Sequence, residues 1–147
     1  MAVQSDENKR SPLKAWVRAL ERTAPIDRNP GLTLPALIGT LAERFGDTPA
    51  LTSRHTTLTY RALSAACNRY ARWGLKRGLK SGEVVCLLME NCPDYMAVWL
   101  GLGRIGVTVA LLNTNLTGPA LAFCIDSVAP KHIIVAGELT QDRKSVV

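Results

Sequence analysis

The chain has 147 residues, 47% of them apolar, and a formal net charge of +6. That is the length of one ordinary domain with enough apolar side chains for a sizeable core, which excludes disorder along the whole chain. No apolar run reaches the roughly 18 residues of a membrane-spanning helix, and the polar start MAVQSDENKR is not a secretory signal.

Residues 1–10 read as a disordered tail. Ser11 then offers an N-cap and Pro12 a first helical position. Leu13, Trp16, Val17 and Leu20 follow at i, i+3, i+4 and i+7, the apolar spacing of a helix, with Lys14, Arg18 and Arg22 on an adjoining face. One reading is a short helix docked by its stripe. The other is a basic amphipathic helix in peripheral contact with an anionic membrane through Lys14, Arg18 and Arg22. Thr23 to Leu32, with Pro25, Asn29, Pro30 and Gly31, reads as a linker.

A second helix is expected from Thr33, with Leu37, Ile38, Leu41 and Phe45 inward and Gly46 just past its end. Ala50 to Ser53 and Thr56 to Leu58 suggest a hairpin around Arg54 and His55, and His55 reads as a solvated turn residue. Thr59 caps a third helix to about Arg77, with Leu63, Ala66, Cys67, Tyr70 and Ala71 on one stripe. Arg61, Arg69, Arg72 and Lys76 fall opposite that stripe. No aromatics are interleaved with them, so they read as a solvated face and no nucleic-acid partner is expected.

Ser81 to Leu116 is the centre of the chain and reads as strand, helix, strand. Val84 to Met89 is apolar at odd and even positions alike, as in a strand buried on both faces of a parallel sheet. Pro93 fits a first helical residue, and Asp94 places an anion in the first turn. Met96, Trp99, Leu100 and Gly103 mark a helix, Gly106 its C-cap, and Val107 to Leu112 a second strand ending at Asn113-Thr114-Asn115. Thr117-Gly118-Pro119 opens another helix, with Leu121, Ala122 and Ile125 inward, which ends at Ala129-Pro130. His132 to Val135 is a third strand. The fold class that follows is α/β, a parallel sheet with packed helices.

Two patterns resemble chemical motifs without the context that those motifs need. Gly101, Gly103 and Gly106 match G-x-G-x-x-G, and Asp126 lies twenty residues further on. A dinucleotide fingerprint needs a strand before the glycines and a helix after them, and here the order is reversed. Small residues late in that helix are instead expected to let it lie close on the sheet. The four cysteines, Cys67, Cys86, Cys92 and Cys124, fit no zinc or redox spacing and read as reduced structural thiols, which suggests a cytoplasmic address.

Several phrases in this order resemble the N-terminal part of the AMP-forming acyl-CoA synthetases, members of the adenylating superfamily. They are Thr33-Leu34-Pro35, Phe45-Gly46-Asp47-Thr48-Pro49-Ala50-Leu51, Leu58-Thr59-Tyr60-Arg61, Gly82-Glu83-Val84-Val85 and Glu90-Asn91-Cys92-Pro93-Asp94-Tyr95. Trp99-Leu100-Gly101-Leu102 and Leu112-Asn113-Thr114-Asn115-Leu116 look like the branch of fatty-acid transport proteins and very-long-chain acyl-CoA synthetases. Many relatives complete a capping box three residues after Thr59; Ala62 stands there in this chain, so Thr59 should cap alone.

The resemblance implies the incomplete N-terminal portion of the large adenylating domain, over about 11–136. It implies a parent that joins a fatty acid to coenzyme A through an acyl-adenylate, using ATP and Mg2+. The family's phosphate loop, acidic metal ligand, ribose-binding aspartate and catalytic lysine all lie beyond the matched region, and no Ser-Gly-Thr-Thr-Gly-like loop occurs here. No catalytic, cofactor-binding or metal-ligating residue is therefore assigned, and the chain alone is expected to be inactive. The alternatives are a standalone α/β binding module and a membrane-surface interaction domain. Residues 137–147 are expected to be an unstructured tail. Within it, Asp142 to Val147 equals the translation of a common sequencing-adapter string and is expected not to be native.

Overall fold

The computed structural model describes residues 12–29 and 31–140. The expectations for residues 1–10, for Ser11 and for 142–147 lie outside the described residues. The chain divides into two compact units, Met1–Thr33 and Leu34–Val147.

In the first unit, α1 spans Pro12–Thr23. Leu13, Trp16, Val17 and Leu20 on its apolar stripe are all exposed. Where a plain linker was expected, Ala24–Arg28 forms a 3-10 turn, with Pro25 near its start, where a missing N–H costs nothing.

The second unit begins with α2, Leu34–Phe45, and a short antiparallel hairpin of β1, Pro49–Thr52, and β2, Thr57–Thr59. Ser53 shapes the hairpin turn, its Oγ accepting from the Thr56 backbone N–H at 3.0 Å. Next comes α3, Tyr60–Lys76. Thr59 caps it as expected, its Oγ1 accepting from the Ala62 N–H at 3.1 Å. Gly78, at φ +75°, closes it with Schellman-type bonds from Leu79 N–H to the Gly74 carbonyl and from Gly78 N–H to the Leu75 carbonyl.

The remaining elements are β3, Val84–Leu88; α4, Pro93–Gly103; β4, Thr108–Leu111; α5, Gly118–Asp126; and β5, His132–Val135. The sheet order is β4-β3-β5, both pairs parallel. Val85 pairs with Val109 and His132, and Leu87 with Leu111 and Ile134, so these residues share one face. That face packs on Val98 and Leu102 of α4, with Leu79, Tyr70 and Trp73. The chain steps from β3 to β4 in one direction and from β4 back past β3 to β5 in the other. Right-handed crossovers then put α4 and α5 on opposite faces. Accordingly Cys86 and Leu88, which point to the α5 side, are as buried as Val85 and Leu87.

A second core cluster joins Ile38 of α2, Leu63, Ala66 and Cys67 of α3, and Ala97 and Leu100 of α4. Helix α4 is therefore covered by the sheet on one side and by α3 on the other: its buried residues spread over roughly 200° of the helix, whereas Met96, Trp99 and Gly103 of the expected stripe are only half-buried and Leu100 alone of that stripe is buried. Phe45, expected inward, is exposed and lies beside Tyr60, ring centroids 5.4 Å apart. The tail expected from residue 137 begins with a 3-10 turn, Gly137–Leu139.

The three glycines of the fingerprint-like pattern have packing reasons. A Cβ on Gly101 would meet the Cys67 carbonyl oxygen of α3 at 2.5 Å, and one on Gly103 would meet Pro35 Cγ at 2.8 Å. The close neighbours are thus α3 and the start of α2, not the sheet as expected. Gly106, at φ +75°, ends the helix with bonds from its N–H to the Gly103 carbonyl and from Val107 N–H to the Leu102 carbonyl.

Candidate functional site

In an open α/β sheet, ligands bind beyond the carboxyl ends of the strands, where the winding direction reverses. Here that point lies between β3 and β5. A cleft of about 570 Å³ opens there, lined by Glu90, Asn91 and Cys92 after β3, Glu138 and Leu139 after β5, and Ser53, Arg54 and His55 of the hairpin tip. A second cleft of about 570 Å³ lies between the ends of β3 and β4, against Glu90, Asn91, Tyr95, Leu112 and Asn113. Asn91 borders both, and also a smaller one of about 200 Å³ at the start of α4.

The elements set these groups in place. The ladder continues one step past each strand: Leu112 N–H donates to the Leu87 carbonyl and Ala136 N–H to the Leu88 carbonyl, each at 2.9 Å. Beyond that step the chain turns away from the sheet. Asn113 Oδ1 accepts from the Asn115 N–H at 2.9 Å and fixes the turn after β4. Pro93 starts α4, and the Cys92 thiol, just before it, makes no capping bond.

The electrostatics of the switch-point cleft exclude one role. Glu90 and Glu138 face it with Arg54, and all three are exposed. Two carboxylates against one guanidinium do not attract a polyphosphate. Of the positive-φ glycines flanking the sheet, Gly82 and Gly106 lie at the opposite ends of the strands, and Gly118, which opens α5 after β4, lines neither of the two larger clefts. Among the described residues no group of three or more His, Cys, Asp or Glu could hold a metal ion. The described residues lining the cleft do not fit an ATP–Mg2+ site.

His55 sits at the hairpin tip on the rim of the cleft, exposed, as a turn residue should. His132 starts β5 and meets the Trp73 ring edge-on, centroids 5.9 Å apart. Cys67 and Cys86 are buried, and burial pushes both thiols up from their ordinary value, which makes them inert. All four cysteines are free thiols. Asp126 is the last residue of α5, and the G-x-G-x-x-G glycines end α4 ahead of β4 instead of joining a strand to a helix. Sequence reasoning did not bring together Glu90, Glu138 and the hairpin tip. The paired acids after two apolar strands were the available signal, but only the strand order makes them neighbours.

The family profile described as "AMP-binding enzyme" matches residues 40–147. The chain is similar to long-chain fatty acid transport protein 1 of Rattus norvegicus, 35% identical over 114 residues, which are 76% of this chain and 18% of that protein. It is 43% identical over 82 residues to long-chain fatty acid transport protein 6 of Mus musculus, covering 55% of this chain and 13% of that protein. The chain thus spans less than a fifth of the length of these relatives. Among solved structures, the N-terminal domain of FACL13 from Mycobacterium tuberculosis superposes with a TM-score of 0.69 at 22% identity, over 73% of this chain and 27% of that one. That likeness establishes the shared fold.

Proposed function

This chain belongs to the AMP-binding enzyme family, and from that membership we propose that it is the N-terminal part of a long- or very-long-chain fatty acyl-CoA synthetase. The parent would activate a fatty acid with ATP and Mg2+ to an acyl-adenylate, then transfer the acyl group to the coenzyme A thiol. The observation that carries the reading is the alignment of 76% of this chain with only 18% of a long-chain fatty acid transport protein. In this reading the chain is scaffold and inactive alone. Residues 11–136 are the first part of the synthetase domain, and 142–147 are foreign to the gene. The cleft supports the inactive reading, since its charges disfavour a triphosphate.

Carboxylate-dependent ATP–pyrophosphate exchange tests both halves. The purified chain should show no exchange above a heat-killed control, and exchange there would overturn the scaffold reading. The full-length product of the source locus should exchange with a long-chain fatty acid. Failure there would overturn the synthetase reading.

The parent is placed in the cytoplasm with peripheral membrane contact through Lys14, Arg18 and Arg22. The exposed stripe of α1 and the four free thiols support this placement. Among the described residues no helix is long and apolar enough to cross a membrane.

A further inference from the structure

Helix α1 carries its apolar and charged residues on separate arcs. At 100° per residue, Trp16, Leu20, Leu13 and Val17 fall in succession over an arc roughly 100° wide. Lys14, Arg18 and Arg22 occupy the far side, with Glu21 between Val17 and Lys14. The apolar arc is open: Leu13 is 70% and Trp16 67% exposed, and α1 has no buried residue. With 12 residues the helix is about 18 Å long, too short for the roughly 30 Å of a bilayer core.

We infer that α1 lies in the plane of an anionic lipid bilayer, with Leu13, Trp16, Val17 and Leu20 at the headgroup–acyl boundary and Lys14, Arg18 and Arg22 among the anionic headgroups. This deepens the peripheral-contact reading above and does not depend on the synthetase assignment. It makes the apolar arc, not the cations, the principal source of binding. Trp16 is suited to that depth, since its indole is apolar with one polar N–H. The three cations face one acid on the same helix, so the polar side complements a negative surface. A protein groove would accept the same i, i+3, i+4, i+7 anchors, but nothing in that use calls for three cations on the outer side.

A rival source of lipid affinity is the exposed cationic face of α3, with Arg69, Arg72 and Lys76. The two are separable, because α3 displays an isolated Leu75 where α1 displays a stripe.

The test is sedimentation of the full chain with vesicles of phosphatidylcholine alone and of phosphatidylcholine with phosphatidylserine, at low and high salt. The wild type should bind the mixed vesicles and lose only part of its affinity in salt, because apolar burial is not screened. Leu13→Glu with Trp16→Glu should weaken binding at least about tenfold, since each side chain contributes more than that factor when buried. Lys14→Ala, Arg18→Ala and Arg22→Ala together should abolish the preference for phosphatidylserine. Arg69→Glu with Arg72→Glu should bind as the wild type does. The substituted positions are exposed, and an unchanged urea midpoint checks that the fold persists. The inference is overturned if the wild type sediments with neither vesicle, or if the α1 acidic pair binds undiminished. It is also overturned if the α3 pair accounts for the loss, or if α1 instead mediates a dimer that the acidic pair dissolves.

Discussion

Gly101 on α4 lies directly against the Cys67 carbonyl of α3: a Cβ there would be 2.5 Å from that oxygen and 2.9 Å from Tyr70 Cβ. The obstacle is backbone, which cannot step aside as a side-chain tip can. Gly101→Ala should therefore push α3 and α4 apart and destabilise the second unit by about 1–3 kcal/mol. Urea denaturation checks it, with a lowered midpoint expected. Gly137→Ala, which meets open space, should stay within about 0.5 kcal/mol of wild type. Equal midpoints for the two variants would contradict the close-approach account.

Arg104 is the other fastener of this helical layer. Its Nε donates to the Pro35 carbonyl at 3.1 Å, 69 residues away in sequence, its Nη2 to Ser64 Oγ at 3.2 Å, and its Nη1 to Asn68 Oδ1. One guanidinium thus ties the start of α2 and the middle of α3 to the end of α4. Arg104→Met should cost about 1–3 kcal/mol, because the Pro35 carbonyl loses a charged donor in a part-buried site. Arg104→Lys should recover less than half of that, having no planar fork to reach three acceptors. Full recovery by lysine in chemical denaturation would reduce the role of Arg104 to charge alone.

Glu83 sets a pH dependence whose sign follows from its partners. Its carboxylate accepts from the Lys80 backbone N–H at 2.9 Å, and Lys131 at the foot of β5 is 3.5 Å away. The backbone hydrogen bond first, and then the Lys131 and Lys80 charges, hold its pKa below the ordinary glutamate value. A lowered folded pKa means a contribution fully present above the unfolded value and lost as pH falls through the folded one. The stability difference between wild type and Glu83→Gln should be constant near neutrality and shrink on acidification below the usual glutamate range. A difference that does not change across that window would remove Glu83 from the acid response.

Among the described residues, both outer strands of the sheet, β4 and β5, have an unpaired side, and Leu111 and Ile133 on them are exposed, as is Phe123 on α5. Unpaired edges with exposed apolar residues recruit other chains. The purified chain should self-associate in light scattering at micromolar concentration. Leu111→Lys with Ile133→Lys should shift it towards monomer, because charges on an edge resist pairing. A wild-type chain that is monodisperse and silent to apolar dyes would count against this.

Much of this architecture was legible in the residues. The apolar run at Val84 to Met89, Pro93 as a first helical residue and Gly106 as a helix end gave β3, α4 and β4 to within a residue or two at most boundaries. Thr59 gave the start of α3, with Ala62 as the lone capped donor. Period-2 and period-3.6 patterns report which side of an element is buried, but not what buries it. For that reason the glycines of α4 were expected against the sheet and lie against α3 and Pro35. The same limit hid the cleft: Glu90 and Glu138 become neighbours only through the order β4-β3-β5, and the Arg104 ties link segments that share no local pattern.

The central place of β3 has a consequence for synthesis on the ribosome. Its partner on one side, β4, follows after a single helix, whereas its partner on the other, β5, is complete only at Val135. At ribosomal speeds of about 5–20 residues per second, the stretch from Leu111 to Val135 takes roughly one to five seconds to appear. Throughout that interval the most apolar strand of the chain has one hydrogen-bonding side filled and the other bare. The nascent protein therefore passes through a two-stranded stage in which β3 is itself an edge, and chaperone contact during elongation would fall on the backbone from Val84 to Leu88.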